Sequence, residues 1–191
     1  MKFYVYYNGD DEVILNDMKG VVQTPIENIV VQMFDDDENR VTYGDILRIP
    51  SSKNPANQFS VPAGYQMCDM MSADNSEALY ILSHVMGVNK DFDCSGVRKN
   101  LANSDLYFLR GFFTEMGKQD KGYEEMFLSR ISEQIQSIKR DPHPVIVASP
   151  CVTQDCWCIS SAPGETDKME KILLNAGFQP IQDSNWYYLT K

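Results

Sequence analysis

The sequence lacks any long uncharged apolar run and is short of positive charge. No apolar segment approaches the roughly 20 residues that a membrane-spanning helix needs. Lysine and arginine total 17 against 27 aspartate and glutamate residues, which gives a net charge of -10 at pH 7. Because a nucleic-acid backbone is bound by clustered cations, this balance argues against direct nucleic-acid binding and against an anionic membrane surface as partner.

An apolar signal-peptide segment is also missing, because residues 1–7 are followed at once by a polar, acidic run at 8–12. The five cysteines are an odd number, whereas a secreted disulfide scaffold normally pairs its cysteines. We therefore expect a reducing, cytoplasmic location.

Three cysteines lie close together in the sequence, at Cys151, Cys156 and Cys158. Their spacing is not one of the common structural zinc patterns, even if Cys94, Cys68 or His143 completed the set. A zinc or iron site and a nucleophilic Cys151 both stay open as alternatives. We expect buried or half-buried thiols and no metal.

The composition is otherwise that of a folded globular protein. Of the 191 residues, 43% are hydrophobic and 23% charged, which is enough for a sizeable core. Residues 1–66 show β-type patterns and predict two hairpins, with turns at 16–20 and 35–39. The acidic tip at 35–39 does not match a calcium loop, because the required glycine and closing glutamate are missing.

A stretch rich in turn-forming residues at 50–62 is the best internal loop or linker. It predicts a β-rich N-terminal segment or small lobe at 1–66, followed by an α/β domain at 67–191. The N-terminal part either extends the main sheet or packs as a separate lobe. From Asp74 the apolar spacing becomes helical and stops at Gly87. His84 lies in this helix and is expected at the surface or half-buried.

The last half of the chain predicts a strand, a long helix, a second strand and a second helix. Residues 106–113 are apolar on both alternating faces, as in a strand that is covered on both sides. Gly111 within this run predicts a bulge or a close approach by another backbone or a ligand. The run at 145–148 suits a buried parallel strand, joined to the first through the helix at 123–139.

The second helix ends at Gly177, and one or two closing strands are expected between 179 and 189. Together these elements predict an α/β (α+β) fold with a mixed sheet. The polar loop at 114–122 opens the long helix. A helix start of this kind can bind phosphate, because its first N–H groups are unpaired and the helix dipole is positive there.

Over roughly 105–191 the chain resembles the GCN5-related N-acetyltransferase (GNAT) superfamily. In that family a bulged strand runs into a loop of pattern Gln/Arg-x-x-Gly-x-Gly/Ala, whose backbone amides hold the pyrophosphate of acetyl-CoA. The segment from Gln119 to Glu124 resembles this loop in a degenerate form, with Glu124 where a small residue belongs. Many members carry a tyrosine as proton donor in the last helix, and the matching position is Leu173.

The resemblance implies binding of acetyl-CoA or another acyl-CoA, with Lys118 and Lys121 available to offset Glu124. Glu115, at the end of the central strand, is the candidate that takes a proton from the amine, directly or through water. The residues implied to contact the cofactor are Phe113, Thr114, Gln119, Lys121, Gly122 and Tyr123.

We therefore expect an acyl-CoA-dependent N-acyltransferase that acts on the amine of a small molecule or a protein. The alternative is an acidic interaction or inhibitor protein, such as a nucleic-acid mimic, on an inactive acyltransferase-like scaffold. The net charge, the acidic tip and Leu173 suit this alternative. The sequence gives no basis for predicting the acceptor or the oligomeric state.

Overall fold

The structure of the chain is a computed structural model, and it describes residues 1–17, 20–49, 76–85, 89–101, 104–139, 141–150 and 165–190. Side chains are described for these residues except 7–27, 76–79, 82, 138–139 and 165. The predicted linker at 50–62, the domain boundary near residue 66 and the cysteines at 151, 156 and 158 lie outside the described residues.

The described elements are seven strands and four helices. In chain order they are β1 (Lys2–Asp17), β2 (Gly20–Phe34), β3 (Arg40–Ile49), α1 (Ser76–Val85), α2 (Ser95–Asn100), β4 (Leu106–Thr114), α3 (Tyr123–Lys139), β5 (Val145–Ala148), α4 (Glu165–Asn175), β6 (Gln179–Pro180) and β7 (Tyr187–Leu189).

All seven strands belong to one mixed sheet with the order β1-β2-β3-β4-β5-β7-β6. The pair β4–β5 is parallel, and the other described pairs are antiparallel. The predicted α/β (α+β) fold with a mixed sheet is therefore confirmed. The three N-terminal strands extend this sheet, because β3 pairs with β4 from Thr42 opposite Thr114 to Ile49 opposite Leu106.

The predicted β4–α3–β5 unit is confirmed. β4 and β5 are parallel neighbours, with Leu106 opposite Val145 and Phe108 opposite Val147, and α3 lies between them in the chain. Both predicted hairpins also form, since β1 pairs with β2 up to Asp17 opposite Gly20, and β2 pairs with β3.

The turn between β2 and β3 is closed by Asp35. One carboxylate oxygen, Oδ1, accepts the backbone N–H groups of Asp37 and Asn39 at 3.1 and 2.9 Å. Asp35 therefore caps the turn with its own side chain, as aspartate commonly does. The tip at 35–39 is a turn, as its sequence predicts.

The core has two parts, one on each face of the sheet. Alternate residues of β4 contribute to each part, because successive side chains in a strand point to opposite faces. On one face, Leu106 and Phe108 pack with residues of α1 and α2; on the other, Tyr107 and Leu109 pack with residues of α3 and α4. We call these the α1–α2 face and the α3–α4 face.

Helix α4 ends as its sequence predicts. Gly177 has φ +95°, in the left-handed region that glycine adopts without strain. The N–H of Phe178 donates to the carbonyl of Leu173, and the N–H of Gly177 donates to the carbonyl of Leu174, both at 3.0 Å. These two bonds form a Schellman motif, which directs the chain from α4 into β6.

The prediction for His84 is wrong, because its side chain is 1% exposed. The ring stacks on Phe92 with a centroid distance of 3.7 Å, and its Nδ1 lies 2.9 Å from the carbonyl oxygen of Tyr80. Phe92 belongs to the segment that follows α1, so the helix pattern alone did not show that the ring would be covered.

Within the part of the chain that the structure describes, no helix is long and apolar enough to cross a membrane.

Candidate functional site

Strand β4 carries a bulge near its middle. Asp45 of β3 lies opposite Gly111, whereas the next residue, Ile46, lies opposite Leu109, so Arg110 is the extra residue. A bulge bends the strand and changes the direction of the side chains beyond it. Gly111 predicted this bulge to within one residue.

Beyond the bulge, β4 continues without β5, which ends at Ala148. The two strands pair only from Leu106 to Phe108, although β4 continues to Thr114. Among the described residues, no strand pairs with residues 109–114 on the β5 side. The main-chain groups on that side therefore take no part in the described sheet.

The residues predicted to contact a cofactor do not form one cluster. Phe113 is half-buried and packs against Tyr43, with ring centroids 5.4 Å apart. Thr114 is buried, and its hydroxyl lies 3.4 Å from that of Thr42. Tyr123 is half-buried against the core of the α3–α4 face. The exposed residues of the set lie in the loop; they are Gln119, Lys121 and Gly122.

The loop before α3 contains three residues in the left-handed backbone region. Gly117, Asp120 and Gly122 have φ values of +79°, +61° and +78°. Apart from its chain neighbours, no heavy atom of the described residues lies within 4 Å of a Cβ added at Gly117 or at Gly122. The backbone at the start of α3 is therefore unobstructed at Gly122, as the approach of a phosphate group requires.

Carboxylates surround this helix start. Glu124 and Glu125 lie in the first turn of α3, and Glu124 is only 7% exposed. Glu125 accepts a hydrogen bond from the side chain of Asn175, and Asp120 forms an ion pair with Lys168. Negative charge in the first turn stabilises a helix through its dipole, but it also opposes a bound anion.

Lys118 does not face the helix start. Its ammonium lies 2.8 Å from Asp35 in the turn between β2 and β3. The hydrogen bond from Lys118 and those from Asn39 lower the pKa of Asp35, and the hydrogen bond to Asp35 raises the pKa of Lys118. Lys118 could therefore offset the charge of Glu124 only by leaving the ion pair that it already makes with Asp35.

Glu115 lies at the end of β4, as predicted, and it is held by an arginine. Its Oε1 accepts bonds from Nε of Arg40 at 2.7 Å and from Nη2 of Arg40 at 2.6 Å. Its backbone N–H donates to the carbonyl of Val41. The carboxylate therefore has a fixed position, and an incoming amine would have to share it with Arg40.

Leu173 is buried in the core of the α3–α4 face and offers no proton. The nearby polar pair on this face is Tyr187 and Glu170. The hydroxyl of Tyr187 donates to the carboxylate of Glu170, which lies one turn before Leu173 in α4. Burial and the bond to Glu170 raise the pKa of Tyr187 to about 12. The sequence did not indicate this pair, because its members come from different elements.

A serine, a histidine and an aspartate also lie close together at the end of α1. Ser83 Oγ is 3.4 Å from Nδ1 of His84, and Nε2 of His84 is 3.7 Å from Asp91. However, the hydroxyl of Ser83 donates to the carbonyl of Tyr80, and Nδ1 of His84 faces the same carbonyl. This hydroxyl is therefore not directed at a base, and the group is not arranged for nucleophilic catalysis.

Among the described residues, no group of three or more His, Cys, Asp or Glu side chains is placed to hold a metal ion. Cys94 is a buried thiol, and burial raises its pKa to about 11, so it is unreactive near neutral pH. The other cysteine hypotheses concern residues outside the described part of the chain.

Sequence reasoning also missed two ion pairs next to the bulge. Arg110 bonds Asp45, and Arg40 bonds Glu115, so both pairs join β4 to β3. The available signal was Arg110 itself, a charged residue within an otherwise apolar strand. No protein-family model, curated protein or solved structure matches this chain. A proposed function for this chain therefore depends on the residues of the site itself.

Proposed function

We propose that this chain is an acyl-CoA-dependent N-acyltransferase that binds its cofactor along the C-terminal half of β4 and at the start of α3. One observation carries the proposal. β4 contains a bulge, extends beyond its three residue pairs with β5, and leads through an open glycine loop into a 17-residue helix. A bulged strand that runs into such a loop and helix is what the resemblance to the GNAT superfamily implies.

Each part of an acyl-CoA has a suitable neighbour at this site. The pyrophosphate is suited to the unpaired N–H groups at the start of α3, next to Gly122. The pantetheine arm is extended and contains amide groups, which can bond to the edge of a strand. Residues 109–114 offer such main-chain groups on the β5 side, where no described strand pairs with them.

The reaction needs an oriented thioester, a neutral amine and donors for the oxyanion. The amine nitrogen attacks the thioester carbon, the new C–N bond forms, and the C–S bond breaks to release the CoA thiolate. Glu115 takes the proton from the amine, directly or through water, in competition with Arg40. Main-chain N–H groups of β4 beyond the bulge supply the oxyanion donors.

No side chain at position 173 replaces the tyrosine acid of the family. The CoA thiolate is therefore reprotonated by solvent, which is feasible because an ordinary thiol has a pKa of about 8.5. We expect turnover to fall when Glu115 is replaced by glutamine and to be insensitive to replacement of Leu173 by methionine, a change of similar volume.

The alternative, an acidic interaction protein, requires a free acidic surface. The described carboxylates of the acidic tip are largely paired with cations: Asp35 with Lys118, Asp36 with the N-terminal ammonium of Met1, and Glu38 with Lys2. Much of the negative charge of the tip is therefore balanced locally. This pairing supports the acyltransferase proposal over the acidic decoy.

Isothermal titration with acetyl-CoA tests the proposal in three proteins: wild type, Gly122→Glu and Gly117→Glu. Both glycines have nearly the same positive φ and open surroundings, so both substitutions cost similar stability and add the same charge. Only Gly122 precedes α3 directly. We expect wild type and Gly117→Glu to bind and Gly122→Glu to lose binding. Equal affinities in the two variants, or no heat from wild type at millimolar ligand, would refute the site.

A further inference from the structure

The α1–α2 face of the sheet changes character beyond the bulge. Near Leu47 and Phe108 it is apolar and packs against the helices. Two pairs further along the same face, Asp45 lies opposite Gly111, and Tyr43 lies opposite Phe113. These four residues are not part of either core cluster.

Gly111 leaves a gap between the side chains on this face, which we call the recess. Apart from its chain neighbours, a Cβ added to Gly111 would meet one atom of the described residues within 4 Å, the Cβ of Asp45 at 3.8 Å. Phe113, next on the same face of β4, and Tyr43 across from it are half-buried, with ring centroids 5.4 Å apart and an interplanar angle of 40°. The recess therefore has a carboxylate on one side and two aromatic rings on another.

Arg110 supplies positive charge beside the recess. Its Nη2 donates to Oδ1 and Oδ2 of Asp45 at 3.0 and 2.9 Å. A guanidinium carries five N–H groups, and the Nε–H of Arg110 has no acceptor among the described residues. The side chain is 24% exposed, and that of Asp45 is 36% exposed. The Nε atom itself is buried, so a ligand can meet only the exposed part of the guanidinium and the exposed part of the Asp45 carboxylate.

We infer that the recess over Gly111 binds a zwitterionic α-amino acid with an apolar side chain. The ammonium lies against Asp45, the carboxylate accepts bonds from Arg110, and the side chain packs on the rings of Phe113 and Tyr43. An ion pair complements a zwitterion because each ligand charge meets the opposite charge on adjacent side chains. The ring of Phe113 offers an apolar surface, while the guanidinium of Arg40 lies over the ring of Tyr43, 5.0 Å from its centroid.

This binding does not require acyl-CoA. If the proposed function holds, the bound amino acid is the acceptor amine, and that assignment alone rests on the proposed function. The titrations below contain no acyl-CoA, so their outcome is separate from that of the acetyl-CoA titration.

Three probes separate the two charges of the ligand: L-phenylalanine, 3-phenylpropionate and phenethylamine. All three carry the same ring, and the last two each lack one charged group. We expect L-phenylalanine to bind at least about tenfold more tightly than either analogue, since each analogue makes only one of the two charge-assisted contacts. Equal binding of all three, tighter binding of either analogue, or no binding of L-phenylalanine at millimolar concentration would overturn the inference.

Variants then locate the ligand. Gly111→Leu should fill the recess and abolish binding of L-phenylalanine, whereas Gly111→Ala should retain part of it, because the backbone there is not in the left-handed region. The double variant Asp45→Asn with Arg110→Gln removes both charges together and should abolish the preference for the zwitterion. Circular dichroism checks that each variant folds. Undiminished binding by folded Gly111→Leu would refute the site.

Discussion

The two halves of β4 differ in almost every physical respect. Residues 106–109 are all buried, pair with β3 and contribute to the core on both faces, and residues 106–108 also pair with β5. Residues 111–114 pair with β3 alone among the described strands, and Arg110, Gly111 and Phe113 are only half-buried. The first half lies in the core, whereas the second half alternates half-buried side chains with the buried Phe112 and Thr114.

The bulge at Arg110 separates the two halves. It places a charged residue on a central strand, where the ion pair with Asp45 satisfies part of its hydrogen-bonding capacity. Half-exposed ion pairs add little stability, so the second half is not arranged for stability alone. The difference shows that a bulge lets one strand combine a fully buried segment with a partly exposed one.

The largest expected effect compares a phenylalanine from each half. Phe108→Ala should reduce the free energy of unfolding by about 3–5 kcal/mol, because it leaves a cavity beside Trp186 in the core. Phe113→Ala should cost about 1 kcal/mol, since the side chain is half-buried. Urea unfolding of both variants measures the difference. Equal losses in the free energy of unfolding would show that the two halves of β4 contribute alike to stability, contrary to this prediction.

Two glycines, one on each face of the sheet, allow the packing of the two faces to be compared. A Cβ at Gly44 would lie 3.0 Å from two ring atoms of Phe127 and 3.3 Å from Leu109 in the α3–α4 core. Gly44→Ala should therefore cost about 1–3 kcal/mol through overpacking. Gly111→Ala meets ordinary contact only, and should be neutral or stabilise by about 0.5 kcal/mol. A destabilised Gly111→Ala with an unaffected Gly44→Ala would contradict the assignment of faces.

Much of the first half could be predicted from sequence. The apolar run at 106–109 and the period of α3 reflect local rules of burial, so the parallel β4–β5 pair followed from them. Helix α2 was not predicted, because six residues are too short to show a helical period. His84 was predicted to be more exposed than it is, because Phe92, a residue outside its own helix, covers it.

The second half was predicted only in outline. Gly111 indicated a bulge, but Asp45, the partner of Arg110, lies 65 residues away in the chain. Arg40 and Glu115 are 75 residues apart. No local pattern encodes such pairs, because they exist only after β3 has paired with β4. The proposed ligand contacts involve these same residues, so no local sequence pattern indicated them either.

A pH experiment probes the buried half through Tyr107. Burial and the nearby Asp141 raise the pKa of Tyr107, whose hydroxyl donates to Asp141. The folded state therefore holds this proton more tightly than the unfolded chain, so stability is full below about pH 10 and falls as the pH rises above it. Tyr187, with its pKa raised to about 12, adds to this loss.

Tyr107→Phe should cost about 1 kcal/mol at pH 8, through the lost hydrogen bond, and should make the decline above pH 10 shallower. Tyr187→Phe serves as the control and should leave the contribution of Tyr107 in place. Urea unfolding at several pH values measures both slopes. An unchanged slope in Tyr107→Phe would show that this phenol is not linked to folding.

The smallest expected effect concerns the helix start that follows the second half. Glu124→Gln should bind acetyl-CoA about fivefold more tightly, because it removes a repulsion on the order of 1 kcal/mol from the first turn of α3. Glu133→Gln removes the same charge farther along the same helix and should leave the affinity unchanged. Isothermal titration compares the two variants. Equal affinities would show that Glu124 does not face the ligand.

Amide hydrogen exchange of β4, with and without saturating acetyl-CoA, tests the division of the strand most directly. We predict that acetyl-CoA slows exchange at residues 110–114 and at the start of α3, while residues 106–109 stay as protected as before. Unchanged exchange at residues 110–114 under millimolar acetyl-CoA would contradict the claim that this half of β4 is the ligand surface.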